Sequence, residues 1–94
     1  MPSSTAVVAT DRAGRYIKQL CTHFAKKADS EFDDTSGRTV FEFGVCDYRA
    51  EDGVLHLTVT GETEELLGRT EYVVADHLTR FGSRDGLSVV WART

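Results

Sequence analysis

Apolar positions along the chain follow two different periods. Ala13, Tyr16, Ile17, Leu20 and Phe24 fall at i, i+3, i+4, i+7 and i+11, a single stripe that predicts an amphipathic helix over about residues 13–27. The β-branched segment 5–9 before it predicts a strand, and Thr10 or Asp11 offers a side-chain oxygen to cap the helix start. From Glu31 to Thr60 the period becomes two, with turn residues at short intervals, so several hairpins are expected. If Asp52-Gly53 closes a two-residue hairpin, Ala50 faces Leu55, Tyr48 faces Leu57 and Cys46 faces Val59. All three pairs are apolar. The alternate pairs, Arg49 with His56 and Asp47 with Thr58, are polar, so this register sends one face to the core and the other to water. Phe43-Gly44 is expected to close the preceding hairpin likewise, pairing Phe41 with Cys46 and Thr39 with Tyr48.

A second helix is expected to begin between Thr60 and Thr63, with Glu62, Glu64 and Glu65 favouring the positive end of its dipole. Its stripe is Leu66, Leu67, Thr70, Val73, Val74, His77, Leu78 and Phe81, and Gly82 is a natural stop. Residues 87–92 are apolar on nearly both faces, which predicts a final strand inside the sheet. The order β-α-β-β-β-β-α-β, with two helices on one face of a mostly antiparallel sheet, gives an α+β two-layer sandwich in a single domain, 1–94.

Eleven Lys and Arg against fifteen Asp and Glu give a formal charge of −4, so general attraction to nucleic acid or an anionic membrane is disfavoured unless a local basic patch reverses it. Such a patch exists between Asp11 and Asp29, where five basic and two acidic residues make a local +3. Within it Arg12, Gln19, His23 and Lys26 fall inside a helical sector of roughly 60°, bordered by Tyr16. Fixed positive charge, an amide and a titratable ring on one face suit a carboxylate, a phosphate or an acidic protein surface, although charged exteriors are also ordinary on amphipathic helices. His77 sits within the second stripe and is expected to be largely buried, either satisfied by one partner or meeting His23 where the helices touch.

Cys21 and His23 do not make a metal site together, because residues two apart on a helix point roughly 200° apart. Cys21 reads as a small residue at the edge of the helix's core face. With Cys46 it gives two thiols and no CxxC, which favours a reducing cytoplasm and free, mutually distant thiols. The acids Asp29, Glu31, Asp33 and Asp34 lack calcium-loop spacing and read as a solvated guard on an edge strand. The N-terminus has neither the basic region of a signal peptide nor a membrane-length apolar run. No G-x-S-x-G, P-loop, GxGxxG or H-E-x-x-H occurs, so catalysis, a cofactor or a resident metal is not called for.

Tyr16-Ile17-Lys18-Gln19-Leu20-Cys21-Thr22-His23-Phe24, then His77-Leu78-Thr79-Arg80-Phe81, Arg84-Asp85, Leu87, Val89 and Trp91, resemble a small bacterial family of unknown function over nearly the whole chain. The resemblance implies a curved antiparallel sheet with two helices on one side, similar to the C-terminal domain of phosphohexomutases. It also implies an association with siderophore or iron-uptake genes. Where relatives often carry a second histidine before the lysine of the first motif, this chain has Lys26 ahead of Lys27.

The expected function is a small non-enzymatic module that binds an anionic small molecule or an acidic protein partner through Arg12, Tyr16, Gln19, His23 and Lys26, with the groove near His77 as the next place to look. The alternatives are an accessory of iron or siderophore handling, or an enzyme, using His23 and His77. An interaction protein or homodimer working through the exposed sheet face ranks third.

Overall fold

The computed structural model describes residues Met1–Thr94. Strand β1 (Ser3–Ala9) leads into helix α1 (Ala13–Phe24), followed by β2 (Asp29–Phe32), β3 (Ser36–Val40), β4 (Val45–Glu51) and β5 (Val54–Thr60). Helix α2 (Glu64–Phe81), a short 3-10 turn (Ser83–Asp85) and a two-residue strand β6 (Ala92–Arg93) complete the chain. The six strands form one antiparallel sheet in the order β2-β3-β4-β5-β1-β6. Both helices cover one face, giving the α+β two-layer sandwich expected from the pattern.

The β4–β5 hairpin has the expected register. Ala50 pairs with Leu55, Tyr48 with Leu57 and Cys46 with Val59, around a two-residue Asp52-Gly53 turn in which Gly53 carries the positive φ of 75°. Leu55, Leu57 and Val59 are fully buried, whereas Thr58 is exposed on the uncovered face and His56 half-buried there. The β3–β4 hairpin differs from expectation by two residues: Thr39 pairs with Cys46 and Gly37 with Tyr48. Residues 41–44 form a four-residue loop closed by the Phe41 N–H donating to the Gly44 carbonyl at 2.8 Å, which lifts Phe41 out of the ladder. A shift of two preserves the faces, so Thr39 still points at the core.

Helix α1 stops at Phe24, and residues 25–28 continue as tight turns bonded back to Cys21, His23 and Phe24, so Lys26 and Lys27 lie beyond the helix. Its cap position is Arg12, without a side-chain cap. Thr10 Oγ1 instead accepts from the Arg12 N–H at 3.1 Å. Helix α2 begins as expected, Thr63 Oγ1 accepting from the Leu66 N–H at 3.1 Å, with Glu64 and Glu65 in the first turn.

The expected internal last strand is instead a two-residue edge strand on β1. Leu87, Val89 and Trp91 pack against the core from irregular chain and Val90 is exposed, so apolar density here reflects side packing and not a central ladder. The end is fastened by Arg93, whose Nη2 and Nε donate to the two Glu71 carboxylate oxygens at 2.9 and 3.3 Å. Those bonds hold the nearly buried Glu71 carboxyl below the usual carboxylate range.

Cys21 is buried in the core and not at its edge, because the β2–β3 end of the sheet wraps over that side of α1. Both thiols are free, and burial pushes that of Cys46 well above its ordinary pKa. Asp33 is no free member of an acidic cluster. Its Oδ1 accepts from the Thr35 and Ser36 N–H groups at 2.9 and 2.8 Å, which lowers its pKa and closes the β2–β3 turn. No helix is long and apolar enough to cross a membrane.

Candidate functional site

Helices α1 and α2 run antiparallel, so the N-terminal part of α1 meets the C-terminal end of α2 and the following 3-10 turn. The other end of α1 meets His77 and Phe81 of α2 and the 41–44 loop. The face carrying Arg12, Tyr16, Gln19, His23 and Lys26 therefore serves two concavities. Arg12, Tyr16 and Gln19 line one of about 290 Å³ beside Ser83, Arg84 and Asp85. His23 and Lys26 line another of about 470 Å³, together with His77. The divider is a contact between helices: the His23 ring packs on Phe81 at 5.6 Å between centroids.

In the larger of these two cavities the structure joins His23 and His77, their ring centroids 4.9 Å apart. His77 is half-buried instead of largely buried, because one side of its ring opens into the cavity. Its Nδ1 lies 2.7 Å from the Val73 carbonyl oxygen. A carbonyl only accepts, so Nδ1 carries a proton and Nε2 is the bare nitrogen of the neutral ring. The pKa of His23 is lowered, first by desolvation and then by the charges of His77, Lys26 and Lys27. Its neutral form is therefore favoured in the unliganded protein.

The floor is apolar and was not legible as a site. Phe24 meets Phe41 edge-on at 4.9 Å, Phe41 meets Phe43 at 4.8 Å, and Val73 closes the α2 side. The Arg69 guanidinium lies over the Phe43 ring, 4.5 Å from its centroid. The available signal was the pair of aromatics flanking Glu42 in a turn, where polar residues are the rule.

Charge pairing separates this region from the rest of the surface. Arg38 pairs with Asp47, Arg49 with Glu51, Arg80 with Asp76, Arg93 with Glu71, and Arg12 more loosely with Asp85 at 3.6 Å. Arg15, Lys18, Lys26, Lys27, Arg69 and Arg84 form no ion pair. Five of those six border the two helix-side cavities. Around the aromatic cavity Lys26, Lys27 and Arg69 face one acid, Glu42.

A third concavity, larger than these two at about 670 Å³, lies at the β2–β5 part of the sheet. Its lining is polar except for Phe32 and Tyr48, and its arginines are engaged: Arg38 Nε lies 2.9 Å from Asp47, while Arg49 and His56 both reach Glu51. With its charges already matched, this surface offers a ligand less than the smaller cavities do.

Residues 5–92 match the profile of a family described as an uncharacterized protein conserved in bacteria, DUF2218. The chain belongs to the DUF2218 family. This DUF2218 chain is also similar to a protein of solved structure, PA4090 from Pseudomonas aeruginosa, determined by NMR. The two are 30% identical, with a TM-score of 0.82 over 98% of this chain and 96% of the other. No curated protein matches the sequence.

Proposed function

We propose that this DUF2218 chain is a small non-enzymatic module that binds an anionic small molecule with a flat apolar body in the cavity between α1, α2 and the 41–44 loop. The observation that carries this reading is the meeting of an aromatic floor, Phe24, Phe41 and Phe43, with three unpaired cations, Lys26, Lys27 and Arg69, around one cavity. Its volume of about 470 Å³ lies in the range of about 300–1,000 Å³ usual for small-molecule sites. The floor would stack a ring, the cations would neutralise its acid group, and His23 would add a charge when protonated. An acidic protein surface would use the rim but leave a concave floor unfilled, so the small molecule is favoured. Two free, buried thiols fit a reducing cytoplasm.

The contact between His23 and His77 supports a second reading, in which the pair holds a metal or moves a proton. The electrostatics favour it less. No third His, Cys, Asp or Glu completes a ligand set, and a bare cation would lie beside three like charges facing one acid. A catalytic base would also want a carboxylate to orient it, whereas His77 is held by a backbone carbonyl.

Naphthalene-2-sulfonate is a suitable probe, carrying an aromatic body and one fixed negative charge. Calorimetric titration should show saturable binding that weakens with salt and drops at least about tenfold in K26Q/R69Q, whose lost side chains are exposed. Equal affinity in the double variant would place the site elsewhere. Saturable zinc binding lost in H23Q, without any response to the sulfonate, would favour the second reading.

A further inference from the structure

We infer that the arginine-lined concavity at the other end of the α1–α2 groove is a second, independent anion site that takes a tetrahedral oxyanion of the phosphate type. Its chemistry differs from that of the aromatic cavity. The space is about 290 Å³ and has no imidazole, and its lining is polar apart from Tyr16 and Phe81. Its donors are the guanidinium groups of Arg12, Arg15 and Arg84, with the Gln19 amide and the Ser83 hydroxyl beside them. Guanidinium forks present paired N–H donors in the geometry that suits phosphate oxygens, which a lysine ammonium cannot do.

The one acid in the lining, Asp85, is already engaged on both oxygens. Tyr16 donates its phenolic hydrogen to Oδ2, and Arg12 Nη1 lies 3.6 Å from Oδ1. Those contacts fasten the 3-10 turn to α1 and leave Arg15 and Arg84 without a carboxylate partner. Three guanidinium groups against one carboxylate give a local +2 on a chain whose formal charge is −4. Asp85 thus ties the turn that carries Arg84 to the helix that carries Arg15, and both guanidinium groups line the same concavity. The inference does not rest on the aromatic cavity, because Lys26, Arg69 and His77 lie outside this lining.

Inorganic phosphate titrated into isotopically labelled protein at constant ionic strength, with chloride as counter-titrant, tests this directly. Amide shifts of residues 83–86 and of the Gln19 side chain should saturate. In R15Q/R84Q the affinity should fall at least about tenfold, without a lowered thermal midpoint, since both side chains are exposed and neither has a carboxylate partner to lose. R15K/R84K keeps the charge and loses the forks, and it too should bind phosphate more weakly than wild type. Non-saturating shifts, shifts that persist in R15Q/R84Q, or shifts spread equally over Lys26 and Arg69 would overturn the site. Wild-type affinity in R15K/R84K would overturn the oxyanion geometry and leave only diffuse charge.

Discussion

Beneath α1 the core contains a hydroxyl relay whose removal has a calculable and unusual signature. Thr39 is fully buried and its Oγ1 lies 2.9 Å from the Tyr48 hydroxyl and 2.8 Å from Ser30 Oγ, with Cys21 Sγ at 3.9 Å. Thr39→Val conserves shape and deletes the hub. Ser30 is half-exposed and can turn to water, but the Tyr48 hydroxyl, in a side chain only 2% exposed, loses its oxygen partner. An unsatisfied buried hydroxyl costs about 1–3 kcal/mol, so T39V should lose about 2 kcal/mol. Tyr48→Phe removes the stranded group itself and leaves Thr39 bonded to Ser30, a loss of about 1 kcal/mol or less. In the T39V background, Y48F should therefore recover stability, since replacing both partners by apolar groups is close to neutral. Urea denaturation resolves these differences: with a slope of about 1–2 kcal/mol per M, T39V lowers the midpoint by roughly 1–2 M. An equal cost of Y48F in the T39V background and in wild type would show that the two hydroxyls are independent and that no relay exists.

Further outcomes follow from single features. Leu57, fully buried between Ala6 and Tyr48, should cost about 2–5 kcal/mol on replacement by alanine, and His56, one residue along on the uncovered face, well under 1 kcal/mol; similar losses would contradict the register. Because the folded-state pKa of His23 lies below its unfolded value, its stabilising contribution is full above about pH 6.5 and is lost as pH falls towards the folded value. H23Q should flatten the thermal midpoint over that interval, and an unchanged profile would remove His23 as the cause. Glu71 is depressed likewise but from a carboxylate's range, so E71Q should flatten the loss only below about pH 4.5 and should free the Arg93 end to faster amide exchange. K26Q/R69Q should leave the unliganded thermal midpoint nearly unchanged, relief of like-charge repulsion offsetting the lost Arg69–Phe43 contact, in the same protein that has lost sulfonate binding.

What the sequence made legible was local. The Asp52-Gly53 turn and the alternation on both sides of it agree, so either alone would have set the β4–β5 register, and the two helical stripes needed no partner to be read. The errors arose where a residue's role depends on chain far away. Glu71 was left out of the α2 stripe because its burial depends on Arg93, 22 residues later. The pattern put Phe41 in the ladder and Phe43-Gly44 in the turn, whereas Phe41 lies outside the ladder against Phe24, a residue of α1 17 positions earlier. The meeting of His23 with His77 is likewise set by how the two helices lie together, which no single stripe encodes.

The sheet shows that this chain neutralises arginines where nothing else needs them: Arg38, Arg49 and Arg93 all have carboxylates on the same or a neighbouring element. Acids are also in excess, fifteen against eleven bases, so a shortage of partners does not explain the unpaired cations of α1, α2 and their flanking turns. Like charges held around a concave surface destabilise the unliganded fold, and a cavity with low-dielectric walls focuses their field outward. An anion bound at the proposed site would offset that cost, and would also raise the pKa of His23 and draw a proton onto it. Burial is the first cause of the lowered His23 pKa and the like charges of His77, Lys26 and Lys27 add to it, so a bound counterion would relieve the charged part of that shift together with the repulsion at the rim.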